Sequence, residues 1–224
     1  MTEKDAVFLR HSVRKYKDAP IPEEKVERLQ KKILELNETS GLHMQLILDH
    51  PQAFRSFLAH YGGFRGAASY VAMVGRDDAN LDELCGYYGE QLVLFARQLG
   101  LGTCWIGGTF SKKKTGYAQE EGERLCLIIS IGIPADDGKK HRSKVVTEVI
   151  KNREDLPAWF LEGVKLALLA PTAINQQKFM FELVKPNRVC LTMGNGPFIK
   201  VDKGIIKYHF ELGAGDSAFE WEES

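Results

Sequence analysis

The sequence predicts an α+β fold in which helices cover a layered sheet, and two features of the chain support this class. First, amphipathic helix patterns alternate with short apolar strand patterns along the whole chain, which is typical of a sheet flanked by helices. Second, parts of the chain repeat at a nearly constant spacing. Gly86 and Gly204 each open a long amphipathic run, and these runs end near Trp105 and Trp221.

A second echo relates residues 34–45 to residues 166–177, where a helical pattern runs into a turn and then into an apolar strand. The two echoes predict an N-terminal half over residues 1–150 and a shorter C-terminal half-repeat over residues 151–224, packed together as one globular unit. A chain of this kind folds as a dimer fused into one polypeptide, with one working site instead of two.

The elements of the first half follow from apolar spacing and from residues that start or stop helices. Pro22 suits the start of a helix, Asn80 is expected to cap another, and Gly100 fits the end of that second helix. The predicted elements are a helix over 22–36, strands over 46–49 and 69–74, a helix over 81–99, and strands over 103–106 and 125–133.

The polar, basic and turn-rich stretch 135–143 is predicted to link the two halves. Beyond it, Pro157 opens a helix whose apolar residues recur at helical spacing. The predicted elements of the second half are a helix over 157–168, strands over 179–184 and 188–192, and a helix over 203–212.

The bulk composition is that of an ordinary globular protein, with 44% hydrophobic and 27% charged residues in 224. Thirty basic and thirty acidic side chains cancel, so no net field attracts nucleic acid or anionic lipid. The first five residues lack the order of a secretory signal, and no apolar stretch approaches the roughly 20 residues of a membrane helix. We therefore expect a cytoplasmic protein with reduced thiols at Cys85, Cys104, Cys126 and Cys190, which have no metal-binding or disulfide spacing.

Two basic clusters are candidates for binding an anion. The motif Arg10-His11-Ser12-Val13-Arg14 places two guanidinium groups on either side of a hydroxyl. Arginine forks match phosphate oxygens through charge-assisted hydrogen bonds, and a serine hydroxyl adds a donor. The alternative is a solvated basic patch near the terminus. The second cluster, residues 139–142, is either a loop or a further part of the same phosphate site.

Two further stretches could contact a flat ligand. Residues 100–108 contain four glycines, of which Gly107 and Gly108 would allow a close approach of backbone N–H groups. The spacing matches neither a dinucleotide fingerprint nor a Walker phosphate loop. In residues 170–177, a proline ends the helix, and the hydroxyl and amide side chains that follow are available to hydrogen-bond a nearby group. The alternative here is a polar turn between a helix and a strand.

In this order, the motifs resemble those of the nitroreductase family of flavoproteins. That family begins with Arg-x-Ser-x-Arg or Arg-x-Ser-x-Lys, which this chain has at Arg10, Ser12 and Arg14. It also has a Gly-Leu-Gly stretch that ends near the flavin ring, matched by residues 100–108, and an Ala-Pro-Ser-x-x-Asn-x-Gln turn, matched by residues 170–177. The resemblance covers most of the chain.

The chain departs from the family pattern in where the turn lies. The early turn at residues 38–43 lacks the proline and asparagine, whereas the intact turn lies in the C-terminal half, which has no second Arg-x-Ser-x-Arg motif. The resemblance therefore implies a branch in which an internal duplication imitates the family's dimer. It implies a central, mainly antiparallel sheet flanked by helices, two pseudo-symmetric halves, and a monomer with one composite site.

By resemblance, the protein is an oxidoreductase that binds FMN and passes hydride equivalents from NADH or NADPH to nitroaromatic or quinone-like acceptors by a ping-pong mechanism. The flavin carries the chemistry, so no catalytic side chain is assigned, and the six histidines show no metal-ligand spacing. The implied flavin contacts are Arg10, His11, Ser12, Arg14, Trp105, Ile106, Gly107, Gly108, Lys140, Arg142, Pro171, Thr172, Ala173, Asn175 and Gln177.

The resemblance also implies roles within this set. Arg10, Ser12, Lys140 and Arg142 would hold the phosphate, and Arg14 would lie near the N1/O2 edge of the flavin. Two alternatives stay open, namely a protein that stores or senses FMN without turnover, and a flavoenzyme of the same fold with a different acceptor reaction. An interaction module without a ligand would leave the coexistence of the basic and amide motifs unexplained.

Overall fold

The computed structural model describes residues 1–55, 62–151, 154–215 and 219–222. The helices in these residues are α1 (Glu3–Leu9), α2 (Glu23–Ser40), α3 (Leu81–Gln98), α4 (Ala158–Ala167) and α5 (Ile199–Ala214). The strands are β1 (Gln45–Ile47), β2 (Ser69–Arg76), β3 (Gly102–Ile106), β4 (Glu123–Gly132), β5 (Phe179–Lys185), β6 (Arg188–Met193) and β7 (Glu220–Glu222).

The strands form two sheets. The first has the order β1-β2-β4-β3, with every neighbouring pair antiparallel. The second has the order β5-β6-β7, in which β5 and β6 are antiparallel and β6 and β7 are parallel. The predicted α+β class with a mainly antiparallel sheet is confirmed, although the strands are divided between two sheets instead of forming one.

Each predicted helix and strand is present, with shifted ends. Helix α5 begins at Ile199 instead of residue 203, and α2 continues to Ser40. Asn80 occupies the predicted N-cap position of α3, but the expected capping bond from its side chain is absent. Its backbone is already helical, with φ −97° and ψ −17°, and its side chain makes no capping bond. Asp78 does so instead, because its Oδ1 accepts from the Leu81 N–H at 3.1 Å.

The element order helix–strand–strand–helix–strand occurs twice, as α2-β1-β2-α3-β3 and as α4-β5-β6-α5-β7. Strand β4 has no equivalent in the second series. It lies between β2 and β3, and both of them run antiparallel to it, so β2 and β3 share a direction. In the second sheet β6 and β7 also share a direction, but they pair directly.

Helices α3 and α5 cross through two glycines. A Cβ on Gly86 would lie 2.0 Å from the carbonyl oxygen of Val201, and a Cβ on Gly204 would lie 2.1 Å from that of Glu83. Only glycine allows two backbones to come this close. Gly86 and Gly204 are 118 positions apart, as are Glu83 and Val201, so the contact is reciprocal across the crossing.

One large apolar core runs through both series of elements. In the first, α2 contributes Leu29, Ile33 and Leu36 to it. In the second, the Phe181 and Phe210 rings stack with centroids 4.8 Å apart. In the part of the chain that the structure describes, none of the helices has the length and apolar character needed to cross a membrane.

Candidate functional site

The Arg10–Arg14 motif lies in an extended segment after α1, along the first sheet. The Ser12 backbone bridges to Thr103 of β3 on one side and to Lys139 on the other. The Val13 N–H donates to the Thr103 carbonyl at 2.9 Å, and a Cβ on Gly102 would lie 2.9 Å from the Val13 side chain. These pairings bring Ser12 beside both β3 and the basic stretch that follows β4.

The turn after α4 has an unusual backbone. Ile174, Asn175 and Gln177 have φ angles of 48°, 57° and 42°, in the left-handed region that β-branched residues rarely adopt. Side chains within the turn hold it. The Gln177 amide donates to the Arg142 carbonyl at 2.8 Å and to Asn175 Oδ1 at 2.9 Å, and the Gln177 N–H donates to Thr172 Oγ1 at 3.1 Å.

Two adjoining cavities join this turn to the N-terminal motif, and together we name them the arginine cavity. The smaller part has a volume of about 120 Å³ and the larger about 260 Å³. Both parts are lined by Ser12, Arg14, Pro171, Thr172 and Ile174. The fold thus brings together residues from the two ends of the chain.

The larger part is electropositive. Arg10, Arg14 and Lys139 line it, and its lining among the described residues contains no carboxylate. His11 also lines it, and His11 Nδ1 is buried without a hydrogen-bond partner in that part of the chain. Burial lowers the pKa of His11, and the charges of Arg10 and Arg97 lower it further. The arrangement suits an anion such as a phosphate.

The buried carboxylate of Glu90 forms an ion pair with Arg10. Glu90 of α3 is fully buried, and its Oε1 lies 3.6 Å from Arg10 Nε and 3.0 Å from His209 Nε2. Its Oε2 accepts from Trp105 Nε1 at 3.0 Å. His209 Nδ1 lies 3.1 Å from the Leu166 carbonyl, so both ring nitrogens face acceptors. If both contacts of His209 are hydrogen bonds, then either both ring nitrogens carry a proton, or Glu90 carries a proton and donates it to His209 Nε2.

Sequence reasoning missed Glu90, since one glutamate in an amphipathic helix looks like any solvated acid. Of the implied flavin contacts, ten line the arginine cavity, namely Arg10, His11, Ser12, Arg14, Trp105, Gly107, Pro171, Thr172, Ala173 and Asn175. The other five, Ile106, Gly108, Lys140, Arg142 and Gln177, lie outside its lining.

Strand geometry explains part of this division at the end of β3. Successive side chains in a strand point to opposite faces, so Trp105 lines the cavity whereas Ile106 packs into a separate apolar cluster. The Phe198 ring lies over Gly107, where a Cβ would come within 2.2 Å of its Cζ. Gly108 lies in open space, with no atom within 4 Å of where its Cβ would be.

The basic stretch contributes a different lysine from the expected one. Lys139 lines the arginine cavity and Lys140 does not, because the backbone bridge to Ser12 fixes which residue faces it. Arg142 lines a neighbouring cavity of about 390 Å³. Its carbonyl oxygen accepts from the Asn175 amide at 3.0 Å, so its backbone braces the turn.

One acidic side chain, Asp202 of α5, lines the smaller part. It is 3% exposed, and burial raises its pKa to about 6, although hydrogen bonds from Gln176 and Ala173 oppose that shift. Burial also raises the pKa of the neighbouring Cys104 thiol, which therefore stays protonated. Asp202 was not among the residues predicted from the sequence.

A larger cavity of about 580 Å³ lies between α3, α5 and β7, and we name it the glutamate cavity. Both of its lysines are paired within it. Glu83 lies 2.9 Å from Lys203 Nζ and accepts from Lys207 Nζ at 2.5 Å, and Lys207 lies over the Trp221 ring. Glu211 accepts from Trp221 Nε1 at 2.8 Å. Its volume exceeds that of the arginine cavity, yet it offers fewer unpaired groups to a ligand.

Solved structures with the same fold are nitroreductase-like proteins. A structure described as a putative nitroreductase from Thermotoga maritima is 24% identical, covers 95% of this chain and 83% of its own, and has a TM-score of 0.68. A putative nitroreductase in complex with FMN from Desulfovibrio desulfuricans is 18% identical, with coverages of 70% and 99% and a TM-score of 0.52. A putative NADH dehydrogenase/NAD(P)H nitroreductase from Bacteroides thetaiotaomicron is 17% identical, with coverages of 67% and 97% and a TM-score of 0.54.

At these identities the similarity shows a shared fold. The family is shown separately, because the model of the family described as "Putative TM nitroreductase" matches residues 3–214. The chain therefore belongs to this nitroreductase family. A search of curated proteins found no match.

Proposed function

We propose that the protein is an FMN-dependent oxidoreductase that passes hydride equivalents from NADH or NADPH to a nitroaromatic or quinone-like acceptor by a ping-pong mechanism. The observation that carries this proposal is the convergence of residues 10–14 and 171–175 on the arginine cavity. Membership of the nitroreductase family and the FMN complex of the Desulfovibrio desulfuricans protein support flavin as the ligand.

The residues of the arginine cavity fit FMN. Its larger part offers the cations Arg10, Arg14 and Lys139 and the partnerless His11 Nδ1, which suit a phosphate. Its smaller part is lined by Gly107, where the lack of a side chain leaves the backbone accessible to a ligand. The two parts together reach the lower end of the size range of small-molecule sites, roughly 300 Å³ and above. When bound, FMN supplies the two-electron redox chemistry.

The side chains around the cavity would bind and tune the cofactor. Arg14 has no carboxylate within ion-pair distance in the described part of the chain, so its charge is available to an occupant. A cation about 4 Å from a developing negative charge contributes about 4 kcal/mol at an effective dielectric of 20. Arg14 would therefore favour the reduced flavin, while Thr172 and Asn175 form the wall supplied by the other end of the chain.

We also propose that residues 1–150 and 151–224 are duplicated halves and that the protein is a monomer imitating a homodimer. The boundary adjoins residues 152–153, which lie outside the described residues. The reciprocal glycine contact of α3 and α5 supports the duplication. Four α3-side residues of the glutamate cavity each lie 118 positions before an α5-side residue of the arginine cavity; the pairs are Asn80 and Phe198, Glu83 and Val201, Leu84 and Asp202, and Tyr87 and Ile205.

The glutamate cavity is then the counterpart of the arginine cavity, and each chain holds one flavin. A cytoplasmic location completes the proposal, in keeping with the free state of Cys85, Cys104, Cys126 and Cys190.

The test is to purify the protein, titrate it with FMN and mix the complex anaerobically with NADPH or NADH in a stopped-flow instrument. We expect one FMN per 25.2 kDa chain, a monomer by light scattering, and bleaching of the flavin band by at least one donor. A nitroaromatic or quinone should then restore the band. A band that persists with both donors would overturn the reductase function.

A second candidate is a protein that binds FMN without turnover. The Phe198 ring over Gly107 favours it, because this ring narrows the space in which an acceptor could stack on the flavin. The same stopped-flow measurement distinguishes the two. If the flavin is reduced but nitroaromatics and quinones do not reoxidise it, product analysis under aerobic and anaerobic turnover would identify a different acceptor reaction.

A further inference from the structure

The start of α5 is tied to the turn after α4 through a single carboxylate. Both oxygens of Asp202 lie within hydrogen-bond distance of the Ala173 N–H, at 3.0 and 3.2 Å. Its Oδ2 also accepts from Gln176 Nε2 at 2.7 Å. An acid in the first turn of a helix often caps its own backbone, but these bonds reach the turn instead. Asp202 thus connects two separate elements.

The turn needs such a connection. Non-glycine residues in the left-handed region persist only where their surroundings hold them there. Apolar packing does not do so here, because the Ile174 side chain is 87% exposed. On one side, Asn175 and Gln177 donate to the Arg142 carbonyl. On the other side, the bonds from Ala173 and Gln176 to Asp202 hold the turn.

The carboxylate also faces the site. Asp202 lines the smaller part of the arginine cavity together with Ser12 and Arg14, and it is the one acid in that lining among the described residues. A charge with 3% exposure is poorly screened by solvent, so it acts strongly on an occupant of the same cavity. Its sign is opposite to that of Arg14.

We propose that Asp202 is a positioning residue that locks residues 171–177 into the wall of the flavin site and that its negative charge opposes reduction of the bound flavin. This inference rests on the proposed FMN function. It assigns two effects to one side chain, and they can be separated by substitution. Loss of the Asp202 acceptor oxygens releases the turn at residues 171–177. Loss of the negative charge alone shifts the equilibrium between oxidised and reduced flavin.

The variants are Asp202→Ala, which removes acceptors and charge, and Asp202→Asn, which removes the charge and keeps one acceptor. Gln176→Ala removes one donor and keeps the charge. Asp82→Asn is the matched control, because Asp82 lies in the first turn of α3 and pairs with Arg124 away from the cavity. The measurements are the FMN dissociation constant by flavin fluorescence and the flavin midpoint potential by dye equilibration.

We expect Asp202→Ala to weaken FMN binding by about tenfold or more, the scale of a lost hydrogen bond to a charged group. Asp202→Asn should retain most of the affinity but shift the midpoint potential to a more positive value. Gln176→Ala should weaken binding without that shift, and Asp82→Asn should change neither quantity. Wild-type affinity in Asp202→Ala, or an unshifted potential in Asp202→Asn, would overturn the corresponding half of the inference.

A measurement on the ligand-free protein tests the positioning role even in variants that bind no FMN. It also separates this inference from the proposed function. In the ligand-free protein, hydrogen exchange followed by NMR should show a protected Ala173 amide in the wild type and faster exchange in Asp202→Ala. Asp202→Asn keeps the shape of the side chain and should retain partial protection. If the wild type binds no FMN, the proposed function fails, whereas equal Ala173 exchange in all variants refutes the positioning role.

Discussion

The arginine cavity and the glutamate cavity are lined by corresponding stretches of α5 and α3, yet their charges are arranged in opposite ways. In the arginine cavity, Arg14 and Lys139 have no ion-pair partner in the described residues. In the glutamate cavity, Glu83 forms ion pairs with both Lys203 and Lys207. The arginine cavity therefore suits an anionic occupant better, because its cations are free to pair with one, whereas a larger volume alone offers no such pairing.

The difference arises from the motifs that residues 1–150 and 151–224 carry. The first half supplies the Arg10–Arg14 segment and the basic stretch after β4, and the second half has no counterpart of either. The second half supplies the Pro171–Asn175 turn, whose counterpart near residues 39–43 lacks the proline and the asparagine. Residues from both parts of the chain thus line the arginine cavity.

Removal of Glu90 should have the largest effect on the free energy of unfolding. Glu90 is a buried carboxylate whose ion pair with Arg10 supports the arginine cavity. Glu90→Ala leaves Arg10 without its buried counter-ion and removes the partner of His209 Nε2 and the acceptor of Trp105 Nε1. Breaking a buried ion pair typically costs about 3–5 kcal/mol. Urea unfolding of the ligand-free protein measures this loss. Glu162→Ala, which breaks an exposed ion pair with Lys165, is the control and should cost under about 1 kcal/mol.

The two cavities should also respond oppositely to pH. The pKa of Asp202 is about 6 in the folded protein, above its ordinary value of 3.8, so the folded state binds this proton more tightly. Its contribution to stability is present below pH 3.8 and is lost as the pH rises to about 6, by about 2–3 kcal/mol. Urea unfolding at several pH values should show the wild type losing stability relative to Asp202→Asn over this window.

Glu83 provides the contrast. Burial raises the pKa of Glu83, but hydrogen bonds from Lys207 and Lys203 outweigh burial and lower it below 4.5. The contribution of ionised Glu83 to the stability of the fold is therefore present above about pH 4.5 and is lost in acid. Glu83→Gln should therefore cost under about 1 kcal/mol at neutral pH, and the difference from wild type should shrink on acidification. The same pH slope in both variants would contradict the contrast between the cavities.

The helix crossing tests the relation between the halves. In Gly86→Ala and Gly204→Ala, overpacking of up to about 3 kcal/mol should exceed the roughly 1 kcal/mol gain in helix propensity. We expect a net loss of about 2 kcal/mol in each by thermal or urea unfolding. Gly108→Ala has open space and should be nearly neutral. Losses that differ by more than about 1.5 kcal/mol would argue against a symmetric crossing.

Flavin affinity should sharpen the comparison of the two cavities further. Arg14→Ala removes an unpaired cation and should weaken FMN binding by about tenfold, or about 1.4 kcal/mol. Lys207→Ala removes a paired cation from the glutamate cavity and should leave the affinity within about twofold. Fluorescence titration measures both. A larger loss of FMN affinity in Lys207→Ala than in Arg14→Ala would place the flavin in the glutamate cavity and contradict the proposal.

The sequence predicted local features well where a short pattern carries its own physical reason. Pro157 and Gly100 mark the boundaries of helices because of their backbone preferences, and both were placed correctly. The motif around Ser12 and the turn around Thr172 were identified from side-chain chemistry, and the fold brings them into one cavity. Asn80 was placed correctly at the N-cap, but the capping bond comes from Asp78, which a local pattern did not indicate because it depends on the backbone angles.

The sequence by itself determined which segments form helices and strands and which carry clustered basic, hydroxyl or amide groups, because propensity and side-chain chemistry act over a few neighbouring residues. Only the tertiary structure decided that Glu90 and Asp202 are buried against partners 119 and 29 positions away, and that Lys139 rather than Lys140 faces the cavity. Burial, and the pKa shift that follows from it, depends on what packs against a side chain. Those neighbours come from distant parts of the chain, so no local pattern records them.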